Sequence, residues 1–521
     1  MNKLPPETLT RCFLYLIPWF PLTLGPSKVR HDCIRLAHVC KYWREVAFGF
    51  SGLWDRIEFT RPKILKLYLD LSRSRPLEVC IQHIGSKFGR LGPAPCGDAM
   101  LGHLIPVRSR IGTLIIHKNW IPPHPCPFMG CSLPELETLS ITSNIGWENE
   151  SQNKPKTRLR ALFQNRLPRL RRLFIPEYTP WPNNDFKDLT LLCLYNQSAL
   201  EEELPQLLQM LRRSPNLEEL YLRQHEYSRS IDDPPPNLGP TFPAHSLRKL
   251  RLHNFSNEAT VCILSTMRLQ PNGVAVHISD TVMTPDTFAE IFPLFPPGFT
   301  LGSAEKLEVH HNPEGPFGIV FCGTECSLKI GGCLSWYGEE DKTDAAISLL
   351  GYIYQECAQT LRELWFYDYS GSKEEGEYAF ANFSCTNLEK LVLVATASGD
   401  VSGRLWDALD PGNSEIQDLP APRLRSLAVR EIYAQSELEQ LIAFCERRSK
   451  MGHPLHEVSV SPGQGGVPEW MPRLCGSSST PISLVAREGW DGMELPSMCR
   501  DYEGPWWPSW GEPIDDWCYN S

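Results

Sequence analysis

Cys322, Cys326 and Cys333 stand shortly downstream of His310 and His311, and thiolate sulfur and imidazole nitrogen are the donors that hold zinc. Their spacing matches no standard zinc knuckle, so unmetallated thiols are the simpler reading. The run GSKFGRLG at 85–92 has the glycines a phosphate cradle needs, but no helical phosphate-binding pattern follows it. His453 and His456 flank Pro454, off any helical pattern, and read as surface residues. GxxxxGK[ST], HExxH and GxSxG are all absent, and no paired-carboxylate or nucleophile–base set stands out. The residues imply no catalytic group, no metal, no cofactor and a protein that is not an enzyme.

What recurs instead is a six-residue phrase, apolar-x-x-apolar-x-apolar. It reads IGTLII at 111, LETLSI at 136, LRRLFI at 170, LTLLCL at 189, LEELYL at 217 and LRKLRL at 247. It returns as AEKLEV at 304, LRELWF at 361, LEKLVL at 388, LRSLAV at 424 and LHEVSV at 455. The spacing is irregular around roughly 28 residues, the range of leucine-rich repeats. Two gaps of about double that length each hold a weaker copy, GVAVHI near 273 and CSLKI near 326. Each copy predicts one short parallel strand with its apolar positions in a continuous core. Helical segments such as ELPQLLQMLRRSPN and SELEQLIAFCERRS fall between copies, and proline-rich or charged loops fall at 121–127, 232–243 and 371–377.

In such a phrase the fifth residue, and the one just after the phrase, point away from the core. At the ends of the array these are Ser140, Thr142, Ala428, Ser459 and Ser461. In the middle they are Phe174, Tyr195, Tyr221, Arg223, Arg251, His253, His310, Trp365 and Tyr367. Aromatic residues and arginine dominate binding hot spots, so this strand face is the candidate target-binding surface. Loops or the Trp-rich C-terminal stretch (Trp490, Trp506, Trp507, Trp510, Trp517) are the alternative occupants of the same face.

Length and composition bound the rest. The chain has 521 residues, 42% hydrophobic and 21% charged, with room for two or more domains or one extended array. A net charge of −10 argues against a nucleic-acid or anionic-membrane partner. The densest basic run, KTRLRALFQNRLPRLRR, is interleaved with Leu and Phe and reads as a solvated face. The 18 cysteines are scattered through apolar segments, as reduced thiols of an intracellular protein in the cytoplasm or nucleus would be. Residues 12–27 carry no charge and imitate a signal peptide, but the run contains Pro18, Pro21 and Pro26 and follows Glu7 and Arg11. No apolar run is long enough to predict a transmembrane helix. The sequons at Asn149, Asn196, Asn254 and Asn382 keep a secreted or enzymatic repeat protein as a remaining alternative.

The first sixty residues differ in character. LPPETLTRCFLYLIP places Pro5 and Pro6 where a helix begins and Leu9, Phe13 and Leu16 on one stripe. Leu36, Val39, Trp43, Val46, Ala47 and Phe50 form a second helical stripe, which Ser51-Gly52 ends. LWDRIEF follows as a short alternating segment, with Trp54 returning toward the helix. So small a unit buries little surface alone, and its excess of large apolar residues predicts a docking partner.

These residues resemble the F-box family, in the F-box-like form common in mushroom-forming fungi. Leu4, Pro5, Glu7 and Leu9, then Val39, Cys40, Lys41, Trp43, Arg44 and Ala47, then Leu53 and Trp54, stand at the places of the family phrase. Thr8, where an apolar residue is usual, and the long insert PWFPLTLGPSKVRHD depart from it. The remainder resembles the irregular leucine-rich repeats that follow this F-box. The resemblance implies an α/β chain: an F-box-like helical module at 1–58, an irregular leucine-rich-repeat solenoid at 59–462, and a Trp/Pro/Gly-rich cap or tail at 463–521. It further implies the substrate-recognition subunit of an SCF-type cullin–RING ubiquitin ligase. The F-box residues would bind the Skp adaptor and, through it, cullin, while the repeats bind a protein target. The alternative is a repeat-based interaction scaffold acting outside a ubiquitin ligase.

Overall fold

The computed structural model describes residues 4–16, 32–58, 62–81, 101–117, 127–142, 161–176, 180, 183–197, 203–224, 240–270, 273–281, 290–295, 301–311, 316–323, 326–333, 350–368, 384–395, 409, 419, 421–463, 466–478, 480–486 and 493–495. The glycine cluster at 85–92, the loop at 371–377, most of the other two proline-rich loops, Asn149, Asn382 and the five C-terminal tryptophans lie outside them. The chain is mixed α/β with mostly parallel strands, and it divides into two compact units, within Met1–Glu226 and within Tyr227–Arg500.

The first unit opens with helices α1 (Pro6–Leu16), α2 (Asp32–Ala37) and α3 (Lys41–Gly49). Strand β1 (Arg56–Glu58), helix α4 (Pro62–Leu71) and strand β2 (Leu77–Ile81) follow. Then come β3 (Ile111–His117), β4 (Thr138–Thr142), β5 (Arg172–Pro176), β6 (Leu191–Gln197), helix α5 (Leu204–Arg212) and β7 (Glu219–Gln224). Strands β1 to β7 pair in sequence order, and every pairing is parallel.

In the second unit the strands are β8 (Phe242–Ala244), β9 (Lys249–His253), β10 (Met267–Leu269), β11 (Ala275–Thr281), β12 (Lys306–His311), β13 (Pro316–Cys322) and β14 (Ser327–Cys333). They continue as β15 (Glu363–Asp368), β16 (Lys390–Ala395), β17 (Ser426–Ile432), β18 (Glu457–Pro462) and β19 (Ile482–Leu484). Helices α6 (Asn257–Thr266), α7 (Gln435–Lys450) and α8 (Trp470–Ser477) lie between strands. The ladder β9-β11-β14 is parallel, β14-β13-β12 is antiparallel, and β12-β15-β16-β17-β18-β19 is parallel again. A separate parallel pair joins β8 and β10.

Each copy of the phrase is a strand, and so are the two weaker copies, in β11 and β14. The register follows the phrase. The third residue of one copy sits opposite the third residue of the next: Thr138 with Arg172, Arg172 with Leu191, Glu363 with Lys390, Lys390 with Ser426. The first, fourth and sixth residues are buried in copy after copy, as with Leu388, Leu391 and Leu393. Alternation of side chains across a strand places the fourth and sixth on one face and the fifth on the other.

Two features depart from a simple parallel array. The copy at 326 pairs with β11 before the copy at 304 is reached, so sequence order and spatial order differ there. A parallel neighbour needs a crossover, whereas antiparallel arms need only short turns, and β13 supplies the returning arm. The second is β19, in the stretch read as cap or tail, which adds one more parallel strand to β18. Among the described residues no helix is long and apolar enough to cross a membrane.

Replacing a wholly buried fourth-position leucine leaves a cavity on the ladder's inner face. Leu391→Ala should lower unfolding stability by about 2–5 kcal/mol, measured by denaturant titration. Glu389→Ala, whose side chain is exposed, should change it by less than about 0.5 kcal/mol.

Candidate functional site

Two surfaces collect the residues singled out by the sequence. The first is the helical module α1–α3. Its interior is built from Leu9, Phe13, Cys33, Leu36, Ala37, Ala47, Leu53 and Trp54, all buried. Phe13 packs on Trp43 with ring centroids 5.1 Å apart. Trp54 Nε1 donates to the Ala47 carbonyl at 2.8 Å, so this tryptophan does return to the helix. Its ring also meets Phe48 at 5.6 Å and Tyr68 of α4 at 5.0 Å, which ties the module to the first helix of the ladder. The Cys33 thiol donates to the Leu53 carbonyl at 3.0 Å, and burial pushes its pKa up to about 11.

The stripe from Leu36 to Phe50 is not one helix. Cys40 is extended (φ −158°, ψ 173°), and its Sγ accepts from the Trp43 N–H at 3.4 Å. Arg44 Nε donates to the Ala37 carbonyl at 3.0 Å, so a side chain of α3 satisfies the end of α2. This break turns Val39 outward to 57% exposure, where an unbroken helix would bury it. Leu16, expected on the inner stripe of α1, is 58% exposed.

The twelve positions that carry the resemblance therefore divide. Leu9, Ala47, Leu53 and Trp54 are interior, Cys40 and Trp43 are half-buried, and Leu4, Pro5, Glu7, Val39, Lys41 and Arg44 face outward. Of the nine exposed large apolar residues among those described, six belong to this module: Leu4, Leu14, Tyr15, Leu16, Val39 and Phe48. Tyr42 Oη holds the Leu4 carbonyl at 2.6 Å, fixing the chain start against α3.

The second surface is the outward strand face. Phe174, Tyr195, Arg223, His310 and Tyr367 are half-buried, whereas Tyr221, Arg251, His253 and Trp365 are buried. Arg223 donates to Tyr195 Oη and lies 4.7 Å from the centre of its ring. His253 Nδ1 lies 2.7 Å from Ser279 Oγ. His277, the fifth residue of the weaker copy GVAVHI, is opposite both Arg251 and Lys329 in the ladder. Burial first, then the charges of Arg251, Lys329 and His253, hold the His277 imidazole well below its ordinary pKa. No family model matches the chain, and no curated protein matches its sequence.

Farther along, His310 stacks on Tyr367 with centroids 4.3 Å apart, and its Nε2 is 2.6 Å from Glu308 Oε1. Trp365 lies 5.0 Å from Lys390 Nζ and 5.3 Å from the Arg430 guanidinium. Its Nε1 donates to Glu363 at 2.7 Å, and Lys390 and Lys306 also reach Glu363 at 2.7 and 3.6 Å. Burial would raise the Glu363 carboxyl, but hydrogen bonds from Lys390 and Trp365 and the charges of Lys390 and Lys306 hold it below the usual range.

The Cys/His stretch is part of this ladder. Cys322 and Cys326 are buried, with Cys322 Sγ 3.7 Å from Ser327 Oγ, and the Cys333 and His311 side chains lie outside the described residues. Among the described residues no group of three or more His, Cys, Asp or Glu could hold a metal ion. The described cysteines are thiols outside any disulfide. Burial pushes Cys357 and Cys445 up to about 12, which opposes formation of the nucleophilic thiolate. What both surfaces offer is contact area, charge and aromatic rings.

Trp54→Ala should cost about 3–5 kcal/mol, as for a buried tryptophan, and Trp43→Ala distinctly less; thermal unfolding of the two full-length variants compares them. A second expectation concerns pH. The Glu363 carboxyl sits below its unfolded value of about 4.3, so its stabilisation is complete above that pH and fades as pH falls through the lower folded value. The stability gap between the natural chain and Glu363→Gln should therefore narrow below about pH 4 in acid unfolding curves.

Proposed function

We propose that the chain is the substrate-recognition subunit of an SCF-type cullin–RING ubiquitin ligase. In this reading the α1–α3 module binds the Skp adaptor, and the parallel ladder is an irregular leucine-rich-repeat solenoid that binds a protein target. The observation that carries the reading is the crowding of exposed large apolar side chains onto the F-box-like module, with Leu4 and Val39 of the family phrase among them. Exposed apolar side chains are individually ordinary, but a concentration of them on one small unit marks a docking surface.

The mechanism needs no chemistry from this chain. A receptor that holds adaptor and target together raises the local concentration of target lysines near a charged ubiquitin-conjugating enzyme. The interior positions of the module set its shape, and the outward ones supply its contact. Lys41 and Arg44, exposed beside Val39, add charge at the rim, where it affects association more than net affinity.

The test is affinity purification of the tagged full-length chain from a fungal host, with mass spectrometry of what it retains. Adaptor and cullin should both co-purify with the natural chain. Tyr15→Asp with Val39→Asp should lose both while the thermal unfolding midpoint stays unchanged, because both side chains are outward. Adaptor without cullin would favour the scaffold alternative, and a natural chain that retains neither would overturn the ligase reading.

A further inference from the structure

The outward face of the second unit's ladder carries an apolar cluster of its own. Trp365, Val392 and Ala428 are fifth residues of their phrases, Val394 follows its phrase, and Val320 and Cys322 come from the antiparallel arm β13. Met493 is inserted into this cluster at 6% exposure, with Leu495 and Tyr367 packed at its edge. Lys306 Nζ donates to the Glu494 carbonyl at 3.3 Å, across 188 residues of chain. Met493–Leu495 belongs to no helix or strand, so no ladder of backbone hydrogen bonds holds it in place.

Basic groups surround the seat: Lys390 and Arg430 beside the Trp365 ring, and Lys306 beneath Glu494. The seated residues are Met493, Glu494 and Leu495, within the sequence W-D-G-M-E-L-P. The apolar anchor meets an aromatic-lined seat, and Lys306, itself paired with Glu363, reaches the backbone of the seated segment. Methionine is unbranched and polarizable, well suited to a pocket that accepts more than one occupant. A surface of tryptophan, tyrosine and arginine is the composition of a hot spot.

We propose that this face is the docking site for a short segment of a target protein with a Met or Leu anchor, and that residues 493–495 occupy it in cis. The inference rests on the target-recognition half of the function proposed above and names the chemistry recognised. A segment bound in cis competes with a target, so apparent affinity falls by the fraction of chains in which the seat is filled. Targets are thereby held to those that outcompete the chain's own segment.

The probe is a fluorescent peptide, GWDGMELPS, with the sequence of residues 489–497, titrated against full-length chains by anisotropy. Met493→Asp, which empties the seat, should bind it at least about tenfold more tightly than the natural chain. Adding Lys390→Glu to Met493→Asp should abolish that gain, and a peptide with Asp in place of its Met should bind neither. Equal affinity for the natural chain and Met493→Asp, or no binding to either, would overturn the proposal. Should Met493→Asp fail to fold, hydrogen exchange on the natural chain decides: excess unlabelled peptide should speed exchange at 493–495, and unchanged exchange would overturn it. Adaptor retention is read on the same proteins. Retention with no peptide binding sinks this inference alone, and loss of adaptor from the natural chain sinks the ligase reading whatever the peptide does.

Discussion

One backbone acceptor sets the geometry of each ladder. The carbonyl of the second residue in a phrase receives the N–H groups of the second and third residues of the next. Glu137 takes Arg171 and Arg172 at 2.9 and 3.0 Å, Arg362 takes Glu389 and Lys390 at 2.8 and 2.9 Å, and Glu389 takes Arg425 and Ser426 at 2.9 and 3.0 Å. A tight turn just before the phrase delivers the first residue, as where Leu388 N–H meets the Cys385 carbonyl at 3.1 Å. Register is then fixed within one residue, and a slip of one would turn every leucine outward. The leucines supply the driving force, and the acceptor decides where they go.

That constraint separates two kinds of surface. On the inner side, identical positions stack identical residues, and the result is a core with little individuality. On the outer side the same register lines up whatever the third, fifth and seventh positions hold. This is why Lys306, Glu363 and Lys390 meet as a charged row, and why His310 and Tyr367 stack ring on ring. The helical module stands apart from this logic. Trp54 fills its interior, and the break at Cys40 spends an apolar residue, Val39, on the outside. A fold seeking only stability would bury that residue, and its exposure is what the proposed docking role would use.

The ladder was legible in the sequence because period and alternation are local properties, and even the degenerate copies at 273 and 326 kept their apolar positions. The departures came from interactions between distant residues. Cys40 lies inside an unbroken apolar stripe, and only the thiol's bond to Trp43 and the Arg44 side chain's bond to Ala37 end one helix and begin another. Strand β13 carries no phrase, and its place follows from the need to reverse the chain between β12 and β14. Arg448, in a charged run at the end of α7, is fully buried, with Nη2 donating to the Ala421 carbonyl at 3.0 Å and its pKa lowered to about 10 by burial, which no local pattern marks. That Met493 packs in one cluster with Trp365 is a fact of the fold that no local pattern carries.

The phrase is the unit of a parallel ladder, with its second residue as the shared acceptor. Single-residue amide hydrogen exchange reads this out, because Arg362, Glu389 and Arg425 have exposed side chains and would exchange fast by polarity alone. Their N–H groups are committed to the preceding strand. Exchange at these three, and at Glu363, Lys390 and Ser426 beside them, should be as slow as at the buried leucines of the same strands. Fast exchange at these polar positions, with protection confined to the leucines, would show that the second residue is not the shared acceptor.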